Sequence, residues 1–260
     1  MGIQVTKEGA CALITLDWPE RRNALPPDDA SALILAINGA TADQEIKALV
    51  LTGNGAFSAG GDLKGMVSRK DMPAAERKAL VYSIYQNLVR TLLDCPVPTF
   101  AAIDGPAVGL GLDMALACDW RLFGPDGWCR QGWGGLGLLP GTGGELLLRL
   151  KAPNAMWQML PGQRKVDGAV AERLGLGERA EPTAVEVAVA RGQALEPMPR
   201  NVVTHYARMG RTGVRSGLDE YLEKVLKIQL PLLTDPDFAD RAQASLGGGG
   251  HDLVSEVWTN

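Results

Sequence analysis

The stretch VPTFAAIDGPAVGLGLDMALACD, residues 97–119, decides how this chain is read. Residues 97–103 form a short apolar run after a proline-flanked turn, the pattern of a buried strand. Gly105 and Pro106 interrupt it. Gly109, Leu110 and Gly111 then precede an apolar segment, Met114 to Cys118, that reads as a buried helix. Glycine permits a tight turn and lets a ligand come close to the backbone. The first amides of a helix have no partner inside it and carry partial positive charge. A strand, a glycine turn and a helix start are therefore either a close-packed turn or a site for an oxygen that carries or develops negative charge.

Working outward, residues 46–52 (IKALVLT) read as another buried strand, and a second glycine-rich segment, AFSAGGDLKGM, follows at 56–66. The space beyond the carboxyl end of a strand in an α/β fold is a common ligand site. Strands are predicted at 3–5 and 10–16, then a proline-broken loop. A helix starts at Pro26-Pro27-Asp28-Asp29, with acids in its first turn, and a long one covers 74–93. Downstream come strands at 120–123 and 128–131, a glycine-dense loop at 132–144 and a helix at 145–150. Helices alone follow, at 167–174, 183–195, 200–209 and 216–232. The tail after Phe238 is expected to be poorly ordered unless a neighbour holds it. This order predicts an α/β core over residues 1–195 and an α-helical piece over 196–260.

With 260 residues, 46% hydrophobic and 22% charged, the chain can bury a full core. A net charge of −4 without a basic patch argues against a nucleic-acid partner. Cys11, Cys95, Cys118 and Cys129 show no paired spacing, which predicts reduced thiols in a cytoplasmic setting. Asp104 and Asp113 break the most apolar stretch, so no membrane span is expected. His205 and His251 lie far from any cysteine cluster, so no metal site is expected either. Gly109 and Gly111 match part of a dinucleotide-binding turn, but Met114 occupies the third glycine position and no acid ends a second strand about twenty residues on.

Taken together, the two glycine turns resemble the crotonase superfamily, the enoyl-CoA hydratase/isomerase family. AFSAGGDL at 56–63 is similar to its first signature and DGPAVG at 104–109 to its second. Ala117-Cys118-Asp119, LPGTGG at 139–144 and Asn23-Ala24-Leu25 fit the same family pattern. The resemblance implies an α/β fold, a ββα spiral core with a C-terminal α-helical trimerisation domain, assembled as a homotrimer or homohexamer. It implies an acyl-CoA thioester as substrate and no further cofactor. The backbone amides of Gly61 and Leu110 would polarise the thioester carbonyl and hold the enolate. Arg22 and Ala24 would lie near the phosphate and adenine portions of CoA, with backbone at Ala59 and Asp62 near the adenine. Leu110 stands where many members carry glycine, so its side chain crowds the pocket while its amide still donates.

Family hydratases use two glutamates to handle a water and its protons. At the first position this chain has Asp113, one methylene shorter, and at the second it has Trp133, which cannot titrate. Two-carboxylate hydration is therefore poorly supported, as is isomerisation through the second carboxylate alone. The reading that follows is an acyl-CoA enzyme of lyase or isomerase type with Asp113 as its main acid/base. Decarboxylation, thioester hydrolysis and carbon–carbon bond hydrolysis fit the same site, because each needs oxyanion stabilisation and fewer protein-borne protons. A hydratase that recruits Glu145 instead, and a non-catalytic acyl-CoA-binding protein, are the other readings. Trp133 and Trp128 would wall an acyl pocket in any of them. Apolar rows at Leu218, Tyr221, Leu222, Val225, Leu226 and Leu230 predict oligomerisation.

Overall fold

Side chains along a strand alternate between its two faces, so a strand buried on both reads as a continuous apolar run. The central strands follow this rule. Ala12, Ile14, Leu49, Leu51, Ala101 and Ile103 enter the main core, while Cys11, Val50, Phe100 and Ala102 face a smaller one. In the computed structural model, which describes residues 2–246, the strands are Gly2–Glu8 (β1), Cys11–Asp17 (β2), Ala48–Gly53 (β3), Thr99–Ile103 (β4), Pro106–Val108 (β5), Trp120–Phe123 (β6), Trp128–Arg130 (β7), Val166–Asp167 (β8) and Glu178–Arg179 (β9). Six form a sheet in the order β1-β2-β3-β4-β6-β9, parallel except for the β1–β2 hairpin. The others form a small sheet, β5-β7-β8.

The helix Ala184–Gln193 covers the smaller core, and Asp104 caps it by accepting from the amides of Ala184 (2.6 Å) and Val185 (3.1 Å). The aspartate of the DGPAVG motif thus fixes a helix to the end of β4. Asp119 has a comparable role. It accepts from the Thr99 amide at 2.8 Å and pairs with Arg211, whose guanidinium also donates to the carbonyls of Cys95 and Val97. One buried arginine therefore ties the helix Arg200–Arg215 to the α/β core.

Several elements depart from the sequence expectations. The long helix over 74–93 contains a π-helical turn at Lys78–Tyr82, which turns Val81 and Tyr82 inward. The glycine-dense loop includes a 3-10 turn, Gly134–Leu136. Short strands β5, β8 and β9 and the helices Leu63–Ser68 and Ala155–Met159 were too brief to leave a periodic signal. The tail is ordered further than expected: Phe238–Leu246 is helical, with Phe238 and Ala242 buried. The rest of that expectation falls on residues 247–260, outside the described residues. Leu218, Leu222 and Leu226 join the same core as the sheet, so the apolar rows used to predict oligomerisation are largely covered within the chain. The four cysteines are buried and free. No described helix is long and apolar enough to cross a membrane.

Candidate active site

The two glycine turns meet through paired backbone. The Ser58 amide donates to Pro106 O at 3.0 Å, and the Val108 amide donates to Ser58 O at 2.9 Å. Beside this bridge Gly60 has φ +98°, and a Cβ there would stand 2.5 Å from Val108 O and 3.1 Å from Leu110 N. Only glycine allows that approach. A second bridge joins the first turn to the N-terminal loop, with Leu25 N donating to Gly60 O (2.8 Å) and Asp62 N to Leu25 O (3.2 Å).

Side chains fix the turn further. Asn23 is fully buried, accepts from the Trp18 amide at 2.7 Å and donates to Ala56 O at 2.6 Å. The Ser58 hydroxyl donates to Asn23 O (2.7 Å) and accepts from the Gly60 amide (3.0 Å). Tyr85 reaches the same place, donating to Leu25 O at 2.7 Å. Gly61 N and Leu110 N are left free for a ligand. Neither takes part in a hydrogen bond among the described residues, and Leu110 is the first residue of its helix.

Both residues line one cavity of about 380 Å³. Its walls bring together Ala59, Gly61, Val108, Leu110 and Trp133 from the core with Arg241 of the C-terminal helix. Asp113 is fully buried but is not on that wall. It sits one turn into the helix Leu110–Ala117, with its Oδ2 accepting from the Thr142 hydroxyl at 2.5 Å. Burial raises its carboxyl to about 7, and the Thr142 and Trp133 side chains partly counter the rise. The Trp133 indole approaches the carboxylate without completing a well-formed hydrogen bond, so Asp113 Oδ1 and Trp133 Nε1 are both unpaired among the described residues. Gly144 makes room for the group: a Cβ there would fall 1.8 Å from Asp113 Oδ1.

The remaining expected residues are placed differently. Glu145 does not line the cavity. Its carboxylate accepts from Tyr221 Oη at 2.7 Å and from Arg149 Nε at 3.1 Å, so both its oxygens are engaged. Asp62 caps the helix Leu63–Ser68 through the Gly65 amide at 3.0 Å. Arg22 is exposed in a left-handed turn, φ +50°, and its carbonyl accepts from the Ala59 amide at 2.8 Å. The Ala59 and Asp62 amides are thus already in use, whereas the Ala59 carbonyl accepts no hydrogen bond among the described residues. Sequence reasoning assigned no part to Ser58, Thr142, Arg130 or Gln163. The first two lie inside quoted motifs, and a buried hydroxyl between glycines was the available signal.

The enoyl-CoA hydratase/isomerase family model matches residues 6–247. This chain belongs to the enoyl-CoA hydratase/isomerase family. A relative described as a probable enoyl-CoA hydratase from Mycobacterium tuberculosis is 34% identical over 243 residues, covering 90% of this chain and 93% of its own length. The structure of an enoyl-CoA hydratase from Bacillus halodurans superimposes with a TM-score of 0.85 at 22% identity, covering 94% of this chain and 100% of that one. The decarboxylase domain of CurF from Lyngbya majuscula superimposes at 0.82 and 23% identity, covering 94% and 98%. These superpositions establish the crotonase fold. The family places the chain among enzymes that act on acyl-CoA thioesters.

Proposed function

We propose that this chain binds an acyl-CoA thioester in the 380 Å³ cavity and stabilises an enolate or oxyanion there, as a lyase or isomerase of its family. The observation that carries this reading is the pair of unengaged amides, Gly61 N and Leu110 N, on residues lining one cavity. A thioester oxygen between them gains negative charge as the neighbouring carbon loses a proton or a carbon substituent. Donors fixed in advance in a site away from water favour that charge without reorganising. Each such donor contributes roughly a hundredfold or more to the rate.

Asp113 is the proton-handling group in this reading. A carboxyl raised to about 7 is divided between acid and base forms at neutral pH, which suits either giving or taking a proton. Trp133 lines the wall and cannot titrate, which leaves Asp113 behind it as the proposed acid/base, so reactions needing a single protein-borne proton fit better than water addition by two acids. The structural similarity to a decarboxylase domain adds no chemistry at its low identity, but that reaction type meets the same requirement. Arg22, Ala24, Ala59 and Asp62 are proposed to flank the CoA moiety, which is substrate rather than cofactor. The buried, unpaired thiols suit a cytoplasmic setting.

The test is Gly61→Pro, which deletes one donor. In a variant that stays folded, turnover of any acyl-CoA substrate is expected to fall at least about a hundredfold. Full turnover would place the oxyanion donors elsewhere.

A further inference from the structure

The charged side chains on the cavity wall are both arginines, Arg130 and Arg241. Arg241 is already satisfied: it donates to Leu136 O at 3.1 Å and pairs with Asp235 at 3.2 Å and Asp237 at 3.6 Å. Arg130 is not. Its side chain makes no hydrogen bond or ion pair among the described residues, and its Nε is buried without an acceptor. The guanidinium carbon lies 5.8 Å from the ring centroid of Trp128, over the face of the indole. Lys165 sits on the same ring at 4.7 Å, so the indole is flanked by two cations.

The fold carries this cation to the reacting centre. In the parallel pair β5–β7, Arg130 is the register partner of Val108, and the Gly109 amide donates to Arg130 O at 3.2 Å. Paired strands lie about 4.8 Å apart, and partners in register point to the same face. Val108 and Arg130 accordingly line the cavity side by side, two residues from the proposed donor at Leu110. A guanidinium offers five donors and keeps its charge, so one that lines a cavity half-buried, with its Nε buried and unpaired, calls for an anion. Among the described residues no acidic side chain lines the cavity to answer it. Gln163 has the opposite need. Its Nε2 donates to Leu160 O at 2.9 Å, and its buried Oε1 lacks a donor, so it suits an N–H or O–H of the ligand.

We infer that the acyl group of the substrate carries a carboxylate, and that Arg130 binds it. The substrate class is then a dicarboxylic acyl-CoA thioester, with one carboxyl bound to the thiol of CoA and the other free on Arg130. This rests on the reading of the cavity as an acyl-CoA site and narrows it to one chemical class of acyl group. Arg130 is a specificity residue here, since it touches the substrate away from the thioester carbonyl.

The experiment compares glutaryl-CoA with pentanoyl-CoA, which has the same chain length without the charge, by calorimetric titration of the whole chain and of Arg130→Gln. The wild type is expected to bind glutaryl-CoA about tenfold more tightly or better, the size of one charged hydrogen-bonded pair. In Arg130→Gln that preference should vanish, while the affinity for pentanoyl-CoA stays within about twofold and attests the fold. Arg130→Lys, which keeps the charge but not the fork, should retain part of the preference. Equal binding of the two thioesters by the wild type overturns the inference and leaves the acyl-CoA site standing. A preference undiminished in Arg130→Gln overturns the assignment to Arg130. Failure of the wild type to bind either thioester overturns the acyl-CoA reading itself, and this inference with it.

Discussion

The Thr142 hydroxyl donates to Asp113 Oδ2 at 2.5 Å, joining the glycine loop at 139–144 to the helix that begins at Leu110. Asp113 is otherwise enclosed, and burial is what raises its carboxyl to about 7. Thr142 works against that rise by stabilising the charged form. Thr142→Val should therefore push the pKa higher still, by about one to two units for a lost hydrogen bond to a charged group. The limb of the pH–rate profile that belongs to Asp113 should move to higher pH by that amount. A profile that stays in place would remove Asp113 from the chemistry.

The same carboxyl makes stability depend on pH. Its folded pKa lies above the ordinary aspartate value of 3.8, so the native state holds a proton that the unfolded chain releases. That contribution is fully present below about pH 3.8 and is lost as pH rises through about 7. Above pH 7 the loss is on the order of a few kcal/mol. Asp113→Asn keeps the shape and removes the titration. Its stability, followed by urea unfolding from pH 5 to 8, should fall less steeply than that of the wild type. Turnover should drop about a hundredfold or more with acyl-CoA affinity little changed. Parallel stability curves for the two proteins would contradict the raised pKa.

Gly60 tests the junction of the two turns. A methyl group there would meet Val108 O at 2.5 Å in a conformation, φ +98°, that side chains avoid. Gly60→Ala should cost on the order of 1–3 kcal/mol in chemical denaturation. It should also lower turnover, because relief of the clash separates Gly61 from Leu110. Wild-type stability and rate in this variant would mean that the turns do not need to abut.

Much of this was legible in the sequence because glycines mark places where backbone must approach backbone. Gly60 and Gly109 both take positive φ, and the motifs around them mark both turns. The continuous burial of β3 and β4 likewise follows from apolar runs such as IKALVLT. Other features depend on tertiary partners. Asp104 and Asp119 look like motif residues, yet their contacts are a helix cap and an ion pair with Arg211, some 90 residues away in sequence. Glu145 looked available as a second acid, but Tyr221 from a distant helix occupies it. Arg130 gave no signal, because an arginine in a short strand reads as a solvated edge until its neighbours are known.

Oligomerisation needs a different motive from the one the sequence offered. Leu218, Leu222 and Leu226 are buried within the chain, whereas Leu80, Tyr206, Met209 and Ile228 are half or more exposed. Tyr206 and Met209 lie one turn apart on the helix Arg200–Arg215, whose other face holds Arg211. A trimer or hexamer should cover them. Light scattering should give a multimer for the wild type and a smaller species for the double variant Tyr206→Asp with Met209→Asp. A wild-type monomer at micromolar concentration would sink the assembly.

The last expectation concerns Trp133, which stands where the family resemblance implies a second glutamate and is almost fully buried. Its indole Cε2 and Nε1 would lie 3.7 and 3.8 Å from a Cβ on Gly109, so the ring packs against the turn that presents Leu110. Wild-type hydration of crotonyl-CoA should be very slow, since one carboxylate behind an indole cannot both activate water and protonate carbon. Asp113→Glu alone should not help. The extra methylene would enter a space already closed by Thr142 and Gly144, and overpacking of that kind costs about 1–3 kcal/mol. Trp133→Glu opens that corner and adds the missing acid. The double variant Asp113→Glu with Trp133→Glu should then hydrate crotonyl-CoA faster than either single change, a gain beyond additivity because the two side chains share one space. The measurement is the loss of enoyl thioester absorbance in a four-way comparison. Brisk hydration by the wild type would show that Trp133 does not block the reaction.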